Sequence, residues 1–120
     1  PVLQTMFDVV SESQSQGVAA VRAGVLPSEI DRICRTWITE AGFGPEFVHG
    51  TGHGVGLEIH EPVFLAKDVK TKLSSGSCIT VEPGIYLPGK GGVRIEDTCL
   101  VTEAEAEVLT PGSHEIICVA

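Results

Sequence analysis

From His49 to Gly56 the chain places glycine at every second position, as Gly50, Gly52, Gly54 and Gly56, with His49 and His53 among them and His60 just beyond. A glycine inside a helix costs about 1 kcal/mol relative to alanine, so four in eight residues exclude a helix here. Glycine is chosen where backbone bends sharply or approaches something closely. In an extended segment His49, Thr51 and His53 project to one side. Three of the chain's four histidines are thus gathered in one stretch. Imidazole is both the commonest neutral metal ligand and the usual proton carrier near neutral pH.

The flanking patterns set the fold class. Apolar side chains at Val2, Leu3, Met6, Val9, Val10, Val18 and Val21 predict an amphipathic helix over residues 2 to 23, stopped by Gly24 and weakened in its polar middle, SESQSQG. A second helix is better specified. Ser28 is placed to cap it, with Asp31 three residues on, and Ile30, Ile33, Cys34, Trp37 and Ile38 form an apolar stripe that ends at Gly42. The stripe is a core face, with Trp37 packed in it. After Gly44 and Pro45 short strands are expected in EFVHGTGHG, GLEIH, SCITVEPGIYL, GGVRIEDTCLV and AEVLT, with GKGG as a hairpin turn and TEAEAE as a second, charged turn. Two helices followed by consecutive strands predict a single α+β unit over 1-120, with the helices packed on one face of a largely antiparallel sheet.

The 120 residues suffice for one domain with a real core. The formal net charge is -8 and the eight lysines and arginines form no cluster, which excludes the electrostatic footprint of a nucleic-acid binder and disfavours an anionic membrane surface. No apolar run approaches the roughly 20 residues of a membrane-spanning helix, and no signal peptide opens the chain. Cys34, Cys78, Cys99 and Cys118 lack the spacing of a zinc finger or a CxxC pair, so free thiols in a cytoplasmic location are expected.

Two carboxylates stand out by position. Glu82 ends an apolar strand directly before Pro83 and Gly84, and an ionised carboxylate beside Ile79, Val81 and Ile85 is costly unless a cation meets it. Glu96 lies between Ile95 and Asp97; along that strand Val93, Ile95, Asp97 and Cys99 face one way and Arg94, Glu96 and Thr98 the other. Spacing leaves two readings open, an exposed Arg94 and Glu96 polar face or carboxylates converging with the histidines.

HGTGHGVGLEIHEP, TVEPGIY and GVRIEDT, in that order, closely resemble the metallopeptidases of the pita-bread fold, and within them the Xaa-Pro aminopeptidase and Xaa-Pro dipeptidase (prolidase) branch. The RIEDT form of the last motif is similar to the proline-specific enzymes. The resemblance implies a fold, the C-terminal half of a pita-bread catalytic domain, and a function, metal-dependent hydrolysis of the bond between an N-terminal amino acid and proline. It implies two divalent ions (Mn, Co or Zn), with His53, Glu82 and Glu96 as ligands and Glu96 bridging. His49 and His60 match histidines that contact substrate and move protons; Arg94 matches an arginine that supports the ligands from behind. The glycines would let backbone pass close to the metal pair. The expected partner is a peptide with proline at its second position, and the chain is expected to be a homo-oligomer.

The family's site has five protein ligands, two of them aspartates. Asp8, Asp31, Asp68 and Asp97 stand in other settings: a helix surface, a capping box, a loop and the position after Glu96. Three of five ligands are therefore counted, and the expectation is a chain that binds one ion weakly or none and is inactive by itself. The alternative is a catalytically inactive pita-bread module for peptide or protein binding.

Overall fold

In a computed structural model describing residues 1–119, two helices, α1 (Val2–Ala20) and α2 (Pro27–Glu40), pack against one another and onto strands. After a single 3₁₀ turn at Gly44–Glu46 come β1 (Gly52–Gly54), β2 (Glu61–Leu65), β3 (Cys78–Val81), β4 (Gly84–Leu87), β5 (Gly91–Arg94), β6 (Asp97–Leu100) and β7 (Glu107–Val108). The main sheet has the order β2-β1-β3-β6-β7, and every pairing in it is antiparallel. The hairpin of β4 and β5 forms a separate two-stranded sheet that also packs against α1. The expected α+β class with helices on an antiparallel sheet is what the chain adopts.

The core joins Met6 and Val10 of α1, Ile30, Cys34 and Ile38 of α2, and Ile79, Val81, Ile85 and Cys99 of the strands. The polar middle of α1 belongs to this contact. Ser13 donates to the Cys34 carbonyl at 3.0 Å and Gln14 donates to Asp97 at 2.8 Å, both groups buried, so what reads as a weak stretch is the helix's interface with α2 and β6.

Several expectations need correction. Ser28 does not cap α2: the helix opens at Pro27 after Leu26, without a side-chain cap, because proline at the first turn needs no amide partner. Asp31 is 2% exposed and faces inward, so it is no capping-box residue. Trp37, at 40% exposure, lies at the margin of the apolar stripe and outside the core. GLEIH is a run of bends, and the strand begins one residue later at Glu61. α1 ends at Ala20, where Val21 turns extended, three residues earlier than the apolar pattern predicts.

The most informative difference concerns the two long strand-like runs. Each breaks into two strands, at Glu82 and Pro83 in one and at Ile95 and Glu96 in the other, and the pieces enter different sheets. Proline cannot donate to a ladder, which ends β3 at that point. Both carboxylates therefore sit where the chain passes from the main sheet to the hairpin, opposite one another across the junction. The predicted alternation survives the break: Ile95, Asp97 and Cys99 are buried, while Arg94 and Glu96 are exposed.

Candidate metal and peptide site

β1 brings His53 inside the sheet, between β2 and β3, and the alternating glycines make that possible. A Cβ on Gly52 would lie 1.8 Å from the Thr80 carbonyl oxygen, and one on Gly54 would lie 2.8 Å from that of Glu61. The close approach that the structure shows is to neighbouring strands of the sheet. His53 N–H donates to Thr80 Oγ1 at 3.1 Å and fixes the residue in register.

The His53 ring has a settled orientation. Its Nδ1 lies 2.8 Å from the Gly54 carbonyl oxygen. A carbonyl only accepts, so Nδ1 carries the proton and Nε2 of the neutral ring presents a lone pair. That lone pair faces Glu82 Oε2 at 3.4 Å, too long for a good hydrogen bond, and Glu82 Oε2 is buried with no hydrogen-bond partner. A ring nitrogen and a carboxylate oxygen at this distance are satisfied together either by a proton on the ring or by a metal cation. A ligating histidine characteristically donates its other ring N–H to a carbonyl in this way.

Glu96 completes the carboxylate pair. Partial burial pushes its carboxyl up, the Glu82 carboxylate adds to that rise, and Arg94 and His53 oppose it. Two carboxylates that disturb one another are a liability without a cation between them. The donors fit a divalent ion in kind and in orientation. They do not yet enclose one: among the described residues no three His, Cys, Asp or Glu side chains converge enough to hold an ion.

The cleft around these groups, about 430 Å³, is lined by His49, His53, His60, Phe64, Glu82 and Arg94 among others. Of the six residues singled out from sequence, five line it, and Glu96 stands beside it through Glu82. A larger groove, about 690 Å³, runs along α2 and contains none of them. His60 is exposed at the rim, its ring 4.3 Å from that of His53. Thr51 does not join His49 and His53 on the cleft side; it is fully buried and bonds to Asp31.

His49 is held at both ring nitrogens. Nδ1 lies 2.7 Å from the Gly50 carbonyl oxygen and therefore donates, and Nε2 accepts from the Tyr86 hydroxyl at 2.8 Å. Tyr86 is a site residue that the sequence pattern does not single out. Its signal was its place in VEPGIY, four residues after Glu82, but the entry of β4 into a different sheet had to be known before it could be brought against His49.

An antiparallel sheet thus carries an imidazole and two carboxylates at one junction. The chain belongs to metallopeptidase family M24, whose profile matches residues 1–103. It is 46% identical over 112 residues to the Xaa-Pro dipeptidase of Pyrococcus furiosus, covering 93% of this chain and 32% of that protein. The prolidase of Pyrococcus horikoshii OT3 superposes with a TM-score of 0.92 at 43% identity, over 95% of this chain and 33% of that one. The X-Pro aminopeptidase of Thermotoga maritima MSB8 superposes with a TM-score of 0.94 at 37% identity, over 98% and 33% respectively. The fold is that of the pita-bread peptidases, and the chain spans about a third of the length of the relatives it matches.

Proposed function

We propose that this chain contributes part of the catalytic centre of a metal-dependent peptidase that cleaves the bond between an N-terminal amino acid and a following proline. The observation that carries the reading is Glu82 Oε2, buried without a hydrogen-bond partner and 3.4 Å from His53 Nε2 inside the cleft. The names of the relatives, Xaa-Pro dipeptidase, prolidase and X-Pro aminopeptidase, support the substrate class.

His53, Glu82 and Glu96 would hold the divalent ions, Mn, Co or Zn. Such ions, when bound, polarise a scissile carbonyl and lower the pKa of water. Donor type does not select among these three metals. The chain's own groups do the rest. His60, exposed beside His53, is placed to give a hydrogen bond or a proton to a bound peptide. His49, with its Nδ1 committed to Gly50, moves protons only through Tyr86. Arg94, at the cleft wall, offsets the carboxylate charge, as its downward pull on Glu96 indicates.

Three protein donors of the five that the family resemblance implies leave the ions incompletely held, so the 120-residue chain by itself is proposed to be inactive. A homo-oligomer and, on the four free thiols, a cytoplasmic location complete the proposal. The test is Mn²⁺-dependent hydrolysis of an Xaa-Pro dipeptide by the polypeptide at the length its source cell makes. Activity abolished by Glu82→Gln is expected. Activity that survives that change, or none with metal present, would overturn the reading.

A further inference from the structure

A second set of charges, outside the His53 and Glu82 cleft, ties α2 to the loop that carries His49. Asp31 is 2% exposed, and its Oδ1 accepts from Arg35 Nη2 at 3.0 Å, from Thr51 N–H at 3.1 Å and from the Thr51 hydroxyl at 2.9 Å. Arg35 Nε donates to Asp31 Oδ2 at 3.1 Å. The guanidinium then turns to backbone: Nη1 donates to the Phe47 carbonyl at 2.9 Å and Nη2 to the His49 carbonyl at 2.7 Å. It also lies 4.1 Å over the Phe47 ring, which meets His49 edge-on at 5.2 Å. The Thr51 carbonyl in turn accepts from the Glu82 N–H at 2.6 Å.

Residues 47 to 51 belong to no helix or strand. Apart from the Asp31 and Arg35 contacts, their backbone is held only at its ends, by Phe47 N–H to the Gly44 carbonyl, Thr51 N–H to the Leu65 carbonyl and Glu82 N–H to the Thr51 carbonyl. A buried ion pair is weak evidence for a role in stability, because desolvation offsets much of the attraction. A planar guanidinium that spends its donors on two carboxylate oxygens and two carbonyls defines position instead. We propose that Arg35 and Asp31 are positioning residues for His49. They hold the loop so that His49 Nδ1–H meets the Gly50 carbonyl and Nε2 meets the Tyr86 hydroxyl, which presets one tautomer of the imidazole. This rests on the peptidase reading only for what His49 does to a substrate.

Long-range ¹⁵N–¹H spectra of the histidine rings test it on the labelled chain. The wild-type chain is expected to show His49 as the single Nδ1–H tautomer. Arg35→Lys keeps a cation opposite Asp31 but cannot reach both carbonyls, and is expected to lose that pattern at His49 while His53 keeps its own. Arg32→Lys, which affects only the surface pair with Glu29, should leave His49 as in the wild type. A folded Arg35→Lys chain with an unchanged His49, or a wild-type His49 without the single tautomer, would overturn the proposal. Should Arg35→Lys fail to fold, Thr51→Val decides alone: loss of the His49 pattern supports it and an unchanged pattern refutes it. Adding Mn²⁺ to the same samples reads the peptidase proposal separately, because broadening at His53 can fail while the tautomer result stands.

Discussion

Cys34 and Cys99 lie in the core, and burial pushes both thiols up to about 11, with Asp97 adding to the rise at Cys99. The thiolate is the reactive form, so both are expected to resist alkylation in the folded chain, while exposed Cys118 reacts at once. Intact mass after a timed pulse of iodoacetamide, with and without urea, would show it; early modification of Cys34 would contradict the packing. The sign of the pH effect follows from the same values. A thiol raised from 9.0 to about 11 on folding contributes stability that is complete below about pH 9 and lost as the pH rises through about 11. A denaturation midpoint that falls across that window is the expected result. Single residues also mark where sequence reading stops. The pattern around Ser28 and Asp31 is a good local capping signal, but Thr51, whose amide and hydroxyl claim Asp31 Oδ1, lies twenty positions away in the chain. Glu82, by contrast, was legible because an acid next to Val81 and Pro83 has no local explanation.

At the scale of elements, β1 is three residues long and holds its place through glycine. Gly52→Ala would drive a methyl into the Thr80 carbonyl and is expected to destabilise the chain by about 3 kcal/mol, measured by urea denaturation. Gly112→Ala, with nothing near its Cβ, is the control and should stay within about 0.5 kcal/mol. Equal effects would mean that β1 does not thread between its neighbours. The helices, the hairpin turn at 88–90 and the inward alternation of Ile95, Asp97 and Cys99 were all readable, since each depends on periodicity or turn chemistry within a dozen residues. The break at Pro83 was readable too, since Glu82 ends an apolar strand before a Pro-Gly turn. The break at Ile95 and the entry of the pieces into two different sheets were not, because the apolar pattern continues straight through Ile95. That division positions both carboxylates, so the site's residues were legible while its geometry was not.

At the scale of the whole molecule, the apolar side chains of Val48, Leu57, Ile59 and Phe64 stand exposed in the segment that also carries the three histidines. Surface of this kind seeks a covering, and self-association at high concentration is expected in sedimentation equilibrium. A strict monomer would contradict that. Among the described residues no helix is long and apolar enough to cross a membrane. The chain corresponds to about a third of its relatives' length, and among the described residues no three ligand-type side chains converge on an ion. On its own it is expected to leave an Xaa-Pro dipeptide intact in the presence of Mn²⁺, as followed by release of proline; turnover would mean that three donors suffice.

The central claim is that His53 and Glu82 face a cation, and Mn²⁺ titration followed by paramagnetic broadening of the histidine signals measures it most directly. Selective broadening of His53 ahead of His114, weakened at least about tenfold by Glu82→Gln, is the predicted result. Equal broadening of all four histidines, or a titration that Glu82→Gln leaves unchanged, would contradict the account.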